Sequence, residues 1–215
     1  MRIRLGLVLI FAALASSGEI LDRIAVTVGR GIITQSDILK EIRLSSFMNK
    51  SQPDFTPASL RKTAERLVER ALAETEMEIG RYPAPEPAEA GLQLEALRKE
   101  QFPGPGAYSQ SLAAAGISEA ELRLYLLQQL AMLRFVDARF GPGIQITDEE
   151  LQAYYAGRFT KEWASGAGKS LPAFEEARAQ IEEALRGERV DQMLDQWLKE
   201  AKARTRIDYM QEAFQ

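Results

Sequence analysis

Acidic residues cluster at three points of the sequence where carboxylates could share a proton or hold a cation. Asp148-Glu149-Glu150 is the densest group, and Glu175-Glu176 and Glu182-Glu183 are pairs. Neighbouring carboxylates can serve as general acid and base, or as ligands of a hard cation. Consecutive residues of a helix, however, point about 100° apart and do not converge on one ion. Because acids are also stabilised at helix N-termini, the sequence favours a structural role for all three groups.

Two residue types that carry much of protein chemistry are absent, because the sequence has no histidine and no cysteine. Thiol nucleophiles, disulfides, serine-histidine-aspartate triads and zinc sites built on these ligands are thereby excluded. Gly29-Arg30-Gly31 and Gly104-Pro105-Gly106 lack the spacing of nucleotide-binding loops and predict turns. We therefore predict no catalytic residue, no metal and no cofactor. A degenerate isomerase and a carboxylate hydrolase remain as enzymatic alternatives.

The composition is that of an ordinary globular protein. Of its 215 residues, 46% are hydrophobic and 27% are charged, which argues against wholesale disorder. The formal net charge is −4, and no lysine- and arginine-rich block is present. Nucleic acid is therefore not an expected partner.

The first residues have the layout of a secretory signal. Arg2 and Arg4 precede an apolar run of ten residues, and Ala13-Leu14-Ala15 has the spacing of a signal-peptidase site. Ten apolar residues are about half of what spans a bilayer. We predict a cleaved signal peptide over residues 1–17 and a periplasmic protein without a stable membrane anchor; retention of the segment is the alternative.

The remaining sequence predicts a mainly α-helical fold with a small N-terminal β-hairpin. Ile24–Val28 and Ile32-Ile33, joined by a glycine turn, form the predicted hairpin. Ile207–Tyr209 is a candidate third strand that would return to it. Apolar periodicity and helix-start signals predict helices over Ser36–Met48, from Thr56, over Leu92 to Gln101, over Tyr108–Ala115, over Ser118–Arg139, from Thr147, and from Pro172 to about Arg204.

The last predicted helix changes its apolar face midway. Phe174 and Ile181 lie on one stripe, whereas Val190 and Trp197 lie on another. Ile181 and Val190 point in opposite directions at about 100° per residue. Either the helix breaks at Gly187, or it is continuous and packs its two halves against different bodies. We favour the continuous helix.

The helix over Ser118–Arg139 carries two nearly opposite apolar stripes. One interpretation is a central core helix that is buried on both sides. The alternative is that one stripe lines an apolar groove or pairs with a second copy of the chain. The first stripe comprises Leu122, Leu126, Leu133 and Phe140, and the second comprises Leu124, Leu127, Ala131 and Phe135.

Four stretches resemble the SurA/PrsA group of exported peptidyl-prolyl isomerase chaperones, and they occur in the family's order. The hairpin and helix start over residues 24–38 resemble the opening of the SurA core. Ala115-Gly116-Ile117-Ser118 resembles the cap before that core's central helix. Ile146–Leu151 with Tyr154-Tyr155 is similar to the segment that leads into the isomerase domain, and the residues from Phe174 to Ile181 resemble the helix that follows it.

The resemblance implies a chaperone core from which the parvulin isomerase domain is missing. Only Gly157–Leu171 lies where that domain would be inserted. The implied organisation is a single domain over residues 18–215, made of a hairpin with helices (18–143), a helix and joint (144–171) and a C-terminal helix and strand (172–215). Such a core would hold unfolded polypeptides, typically outer-membrane protein precursors, without ATP and without isomerase activity.

The candidate peptide-binding residues are large apolar side chains that could reach a groove or act as a clamp. A dedicated interaction subunit of a cell-envelope assembly, with one fixed partner, is the alternative function. A homodimer formed by exchange of the arm between Thr56 and Gln101 is a further possibility. The predicted binding residues are Phe47, Met48, Leu124, Leu127, Phe135, Trp163 and Trp197.

Overall fold

The computed structural model describes residues 22–166 and 170–215. Over these residues the fold is mainly α-helical, with one small antiparallel sheet, as the sequence predicted. The predicted signal peptide, residues 1–17, lies outside the described residues.

The sheet joins the two ends of the described chain. Strands β1 (Ile24–Val28) and β2 (Gly31–Thr34) form the hairpin, and β3 (Ile207–Tyr209) pairs with the other edge of β1. Gly29 has a φ of 57° at the hairpin turn, a conformation that favours glycine. The predicted hairpin and third strand are both confirmed.

The described residues form eight α-helices. Six of them start within about two residues of the predicted positions. The third starts at Pro87, five residues before the predicted Leu92, because a proline is favourable in the first turn of a helix. A π-helical turn over Tyr155–Phe159 joins the sixth to the seventh. Their bounds are α1 Gln35–Met48, α2 Pro57–Gly80, α3 Pro87–Gln101, α4 Ala107–Ala115, α5 Glu119–Phe140, α6 Asp148–Tyr154, α7 Thr160–Gly166 and α8 Phe174–Arg204.

Side-chain caps fix the starts of α5 and α6. The Ser118 backbone N–H donates to the Glu121 carboxylate at 2.8 Å, and the Glu121 N–H donates to the Ser118 hydroxyl at 3.2 Å. Thr147 and Glu150 repeat this reciprocal pair. Both helices therefore start with a capping box, which satisfies backbone N–H groups that the helix itself cannot bond.

The first core lies beneath the sheet, between α1, α2, the end of α5 and the second half of α8. Phe135 is fully buried at its centre, where its ring meets those of Tyr82 and Trp197 at centroid distances of 5.1 Å and 5.4 Å. Edge-on aromatic contacts of this kind add to the hydrophobic stabilisation.

Two smaller cores extend the molecule on either side of the first. The second core joins α3, α4, the end of α1 and the first half of α5, with Leu94 and Leu122 almost fully enclosed. The third core joins α6, the π-helical turn and the first half of α8 around Leu151, Phe159 and Ile181.

Helix α8 is continuous through Gly187 and serves two cores. Ile181 is buried in the third core, whereas Trp197 and Ala201 are buried in the first. The hypothesis of a continuous helix that packs its halves against different bodies is confirmed. The change of apolar face follows from the change of packing partner.

Helix α5 also packs into two cores. Its first half lies in the second core and its second half in the first core, so the cores do not correspond to its two predicted stripes. Leu122 and Leu126 belong to the second core, and Phe135 and Phe140 belong to the first. Each predicted stripe therefore contributes to both cores. Leu124 and Leu133, one from each stripe, remain exposed, so neither stripe forms a groove by itself.

Candidate peptide-binding clefts

Two of the predicted binding residues, Phe135 and Trp197, lie in the first core and do not form a binding surface. Phe135 has no exposed area and Trp197 is 7% exposed. Trp197 also contributes to the lining of a groove beside Met193. The placement of these two aromatics at a surface is corrected, because ring-to-ring packing at the crossing of α5 and α8 encloses them.

The other predicted residues border different parts of the surface. Phe47, Met48 and Leu127 are partly buried against the second core. Leu124 is more than half exposed, and Trp163 stacks on Phe159 at 5.6 Å. Of the seven predicted residues, three therefore lie around the second core, two are enclosed together in the first core, and Leu124 and Trp163 lie at separate sites.

A cleft with a volume of about 950 Å³ lies where four segments meet. We call it the aromatic cleft. It is bounded by the end of α1, the following linker, the end of α3 and the end of α4. Its lining residues are Arg43, Ser46, Phe47, Lys50, Ser51, Gln52, Pro53, Phe55, Gln101, Phe102, Ser111, Ala113, Ala114, Ala115 and Gly116.

Aromatic rings and small side chains give the aromatic cleft its apolar character. The rings of Phe47 and Phe102 stack at 5.5 Å, and Phe55 on the linker is 42% exposed. Opposite them, Ala114 and Ala115 end helix α4. Small residues beside aromatic ones leave room for side chains of a ligand.

Seven of the fifteen residues that line the aromatic cleft are polar: Arg43, Ser46, Lys50, Ser51, Gln52, Gln101 and Ser111. Arg43 lies 5.9 Å from the centroid of the Phe55 ring, and Lys50 lies at the end of α1. Gln101, also in the lining, has a buried side-chain oxygen with no hydrogen-bond donor among the described residues. Polar groups placed among aromatic and small apolar side chains can orient a ligand.

A second groove, which we call the charged groove, has a volume of about 300 Å³ and lies between β2, α1, α2 and α5. An ion pair between Glu41 and Arg70 at 2.9 Å forms part of its lining. Burial raises the pKa of the Glu74 carboxyl above its ordinary value of 4.5, although Arg70 opposes this. Exposed Ile32 and Leu124 complete the lining.

The acidic cluster at Asp148–Glu150 forms helix caps and ion pairs. Hydrogen bonds from the Thr147 backbone N–H and from Arg189 hold the pKa of Glu150 below its usual range. Asp148 pairs with Arg178 on α8. Over residues 22–166 and 170–215, no group of three or more acidic side chains is arranged to hold a metal ion.

Comparison of the chain with protein-family models and with curated proteins gave no match. None of the helices in the described ranges is long and apolar enough to cross a membrane.

Sequence reasoning missed Phe55, Phe102 and Gln101. Phe55 stands alone in a polar linker, and an isolated aromatic in such a segment was an available signal for a surface site. Gln101 ends α3 and Phe102 follows it, and the end of this helix carried no comparable pattern. The packing of α3 against α5 and the stacking of Phe102 on Phe47 bring them to the cleft.

Proposed function

We propose that this protein is an ATP-independent chaperone of the SurA type that lacks the isomerase domain and holds unfolded polypeptides, outer-membrane precursors among them. The aromatic cleft is the observation that carries this proposal. It combines three phenylalanines, a lining of small residues and room for several side chains of an extended chain.

The chemistry of the aromatic cleft suits transient holding of a client chain. Transfer of apolar side chains out of water contributes about 25 cal/mol per Å², and part of this is lost to ordering of the client. The expected affinity is on the order of micromolar, or about −8 kcal/mol. Contacts of this strength exchange rapidly, so that release needs no nucleotide.

The order of the elements supports the same proposal. The hairpin, the capped α5, the α6 start and the returning α8 follow the order of the resembling stretches. Between α6 and α8 the chain offers only the π-helical turn, α7 and a short connection, which leaves no room for an isomerase domain.

The alternative is a dedicated interaction subunit with one fixed partner, and the charged groove favours it. Its ion pair and partly buried Glu74 present fixed charges of both signs. Such a pattern discriminates between partners more than it strengthens binding. A chaperone binds many unrelated unfolded chains with similar affinity, whereas a dedicated subunit binds one.

Replacing Phe55 with alanine tests the role of the aromatic cleft. Phe55 belongs to none of the described cores, so the free energy of unfolding should change by no more than about 0.5 kcal/mol. Affinity for a permanently unfolded client should fall about 5- to 10-fold, because an aromatic anchor of the cleft is lost. Fluorescence anisotropy with several labelled, unrelated clients measures this, alongside suppression of their aggregation.

Leu92→Ala is the matched control, because Leu92 is 73% exposed on α3 and does not line the cleft. Equal losses of client affinity in Phe55→Ala and Leu92→Ala would show that the aromatic cleft is not the client-binding site. Protection of no client by the unsubstituted protein would reject the chaperone function, and protection of one client alone would favour the dedicated subunit.

Export belongs to the proposal and rests on the sequence of residues 1–17. Cell fractionation of a C-terminally tagged chain should place it in the periplasm. Its mass should be reduced by the weight of about 17 residues if the signal is cleaved as the motif predicts. A full-length cytoplasmic product would contradict export.

A further inference from the structure

We propose that the aromatic cleft selects client segments in which a carboxylate lies next to a large apolar side chain. The inference rests on the proposed function and names the chemistry of the segment that the cleft takes. It follows from the charge and the aromatic lining of the same cleft.

The charge of the cleft lining is one-sided. Arg43 and Lys50 are its charged residues, and it contains no acidic side chain. The chain as a whole has more acids than bases, 31 against 27, so a purely cationic lining departs from the general surface. Neither cation forms an ion pair within the part of the chain that the structure describes. Both are therefore available to a carboxylate of a ligand.

Lys50 occupies a position where glycine would be more stable. Its φ is 51°, in the left-handed region. The Lys50 N–H donates to the Phe47 carbonyl and the Ser51 N–H to the Ser46 carbonyl, at 3.3 Å and 3.0 Å. These two bonds form a Schellman motif, whose left-handed residue is usually glycine. Replacing this lysine with glycine should therefore remove the ammonium group and relieve backbone strain in one step.

The apolar and charged groups of the cleft complement one kind of segment. A segment that places its apolar side chain beside Phe47 and Phe55, and presents its carboxylate to Arg43 and Lys50, satisfies both kinds of group together.

Peptides with the same apolar residues and different flanking residues test this selection. Aspartate, asparagine and lysine flanks would be compared by fluorescence anisotropy on the full protein. We expect the aspartate peptide to bind about 5- to 10-fold more tightly than the asparagine peptide at low ionic strength, and the difference to shrink in high salt.

Lys50→Gly is the decisive variant, because stability and selectivity should move in opposite directions. It relieves the left-handed strain, so the unfolding midpoint should stay the same or rise. The preference for aspartate flanks should fall to about 2-fold. Arg81→Gly is the matched control, because Arg81 is also left-handed, with a φ of 52°, and does not line the cleft. It should keep the full preference.

The remaining outcomes separate this inference from the proposed function. Equal affinity for the three peptides would overturn the acidic preference and leave the chaperone function standing. Loss of preference in both glycine variants would also overturn it, since a general charge effect would then suffice. Self-association that Lys50→Gly abolishes, measured by light scattering, would assign the cleft to a second copy of the chain. Absence of both peptide binding and aggregation suppression would reject the proposed function itself.

Discussion

Replacing Phe135 with alanine is expected to lower the free energy of unfolding by about 4 kcal/mol, because deletion of a buried ring leaves a cavity that the core cannot close. The side chain has no exposed area and contacts the rings of Tyr82, Phe140 and Trp197. Natural domains have a total stability of about 5–15 kcal/mol. With a urea m value of about 2 kcal/mol/M, the unfolding midpoint should fall by about 2 M.

Leu133→Ala is the control for this substitution, because Leu133 is on the same helix and is 66% exposed. It should change the free energy of unfolding by no more than about 0.5 kcal/mol. The Phe135 variant that remains folded should bind clients with unchanged affinity, since the ring does not reach a surface. A small loss of stability together with weaker client binding would instead place Phe135 in the binding site.

Replacing Arg70 with methionine should destabilise the protein by about 3 kcal/mol near pH 7, since it leaves the mostly buried Glu41 carboxylate without its partner. The side chains of the pair are 20% and 10% exposed, and their charged atoms are 2.9 Å apart. Urea unfolding measures the loss. The double variant Arg70→Met with Glu41→Leu should recover most of it, because an apolar pair needs no compensating charge.

The loss of stability in Arg70→Met should depend on pH, because Arg70 affects the pKa of the Glu74 carboxyl. Burial already raises the pKa of Glu74 above 4.5, and Arg70 lowers it, so removal of Arg70 raises it further. A folded state whose carboxyl has the higher pKa binds more protons than the unfolded state, and its stability falls as pH rises through that window. The stability difference between variant and unsubstituted protein should therefore narrow as pH is lowered from 7 towards about 4.5.

An exposed ion pair supplies the control for the Arg70 variant. Arg123 and Glu119 lie one turn apart on α5 at 3.1 Å, and both side chains are nearly half exposed. Arg123→Met should change stability by about 0.5 kcal/mol or less, without the narrowing at low pH. Equal effects of the two substitutions would show that the Glu41–Arg70 pair is as well solvated as a surface pair.

Much of the fold could be predicted because its helices start and stop on local signals. The hydroxyl and carboxylate of a capping box are three residues apart, as at Ser118 and Glu121. Gly116 ends α4 with a φ of 64°. The change of apolar face in α8 could also be predicted, because side chains about one helical turn apart point in the same direction whatever they pack against.

The sequence by itself determined where the helices lie, which faces are apolar, and that histidine and cysteine chemistry is absent. Only the tertiary structure decided that Phe135 is enclosed while Leu124, on the same predicted stripe, is exposed. It also decided that Phe47, Phe55 and Phe102, from three separate segments, line one cleft. The physical reason is that hydrogen-bonded caps and helical periodicity act over a few residues, whereas burial depends on which distant segment covers each side chain.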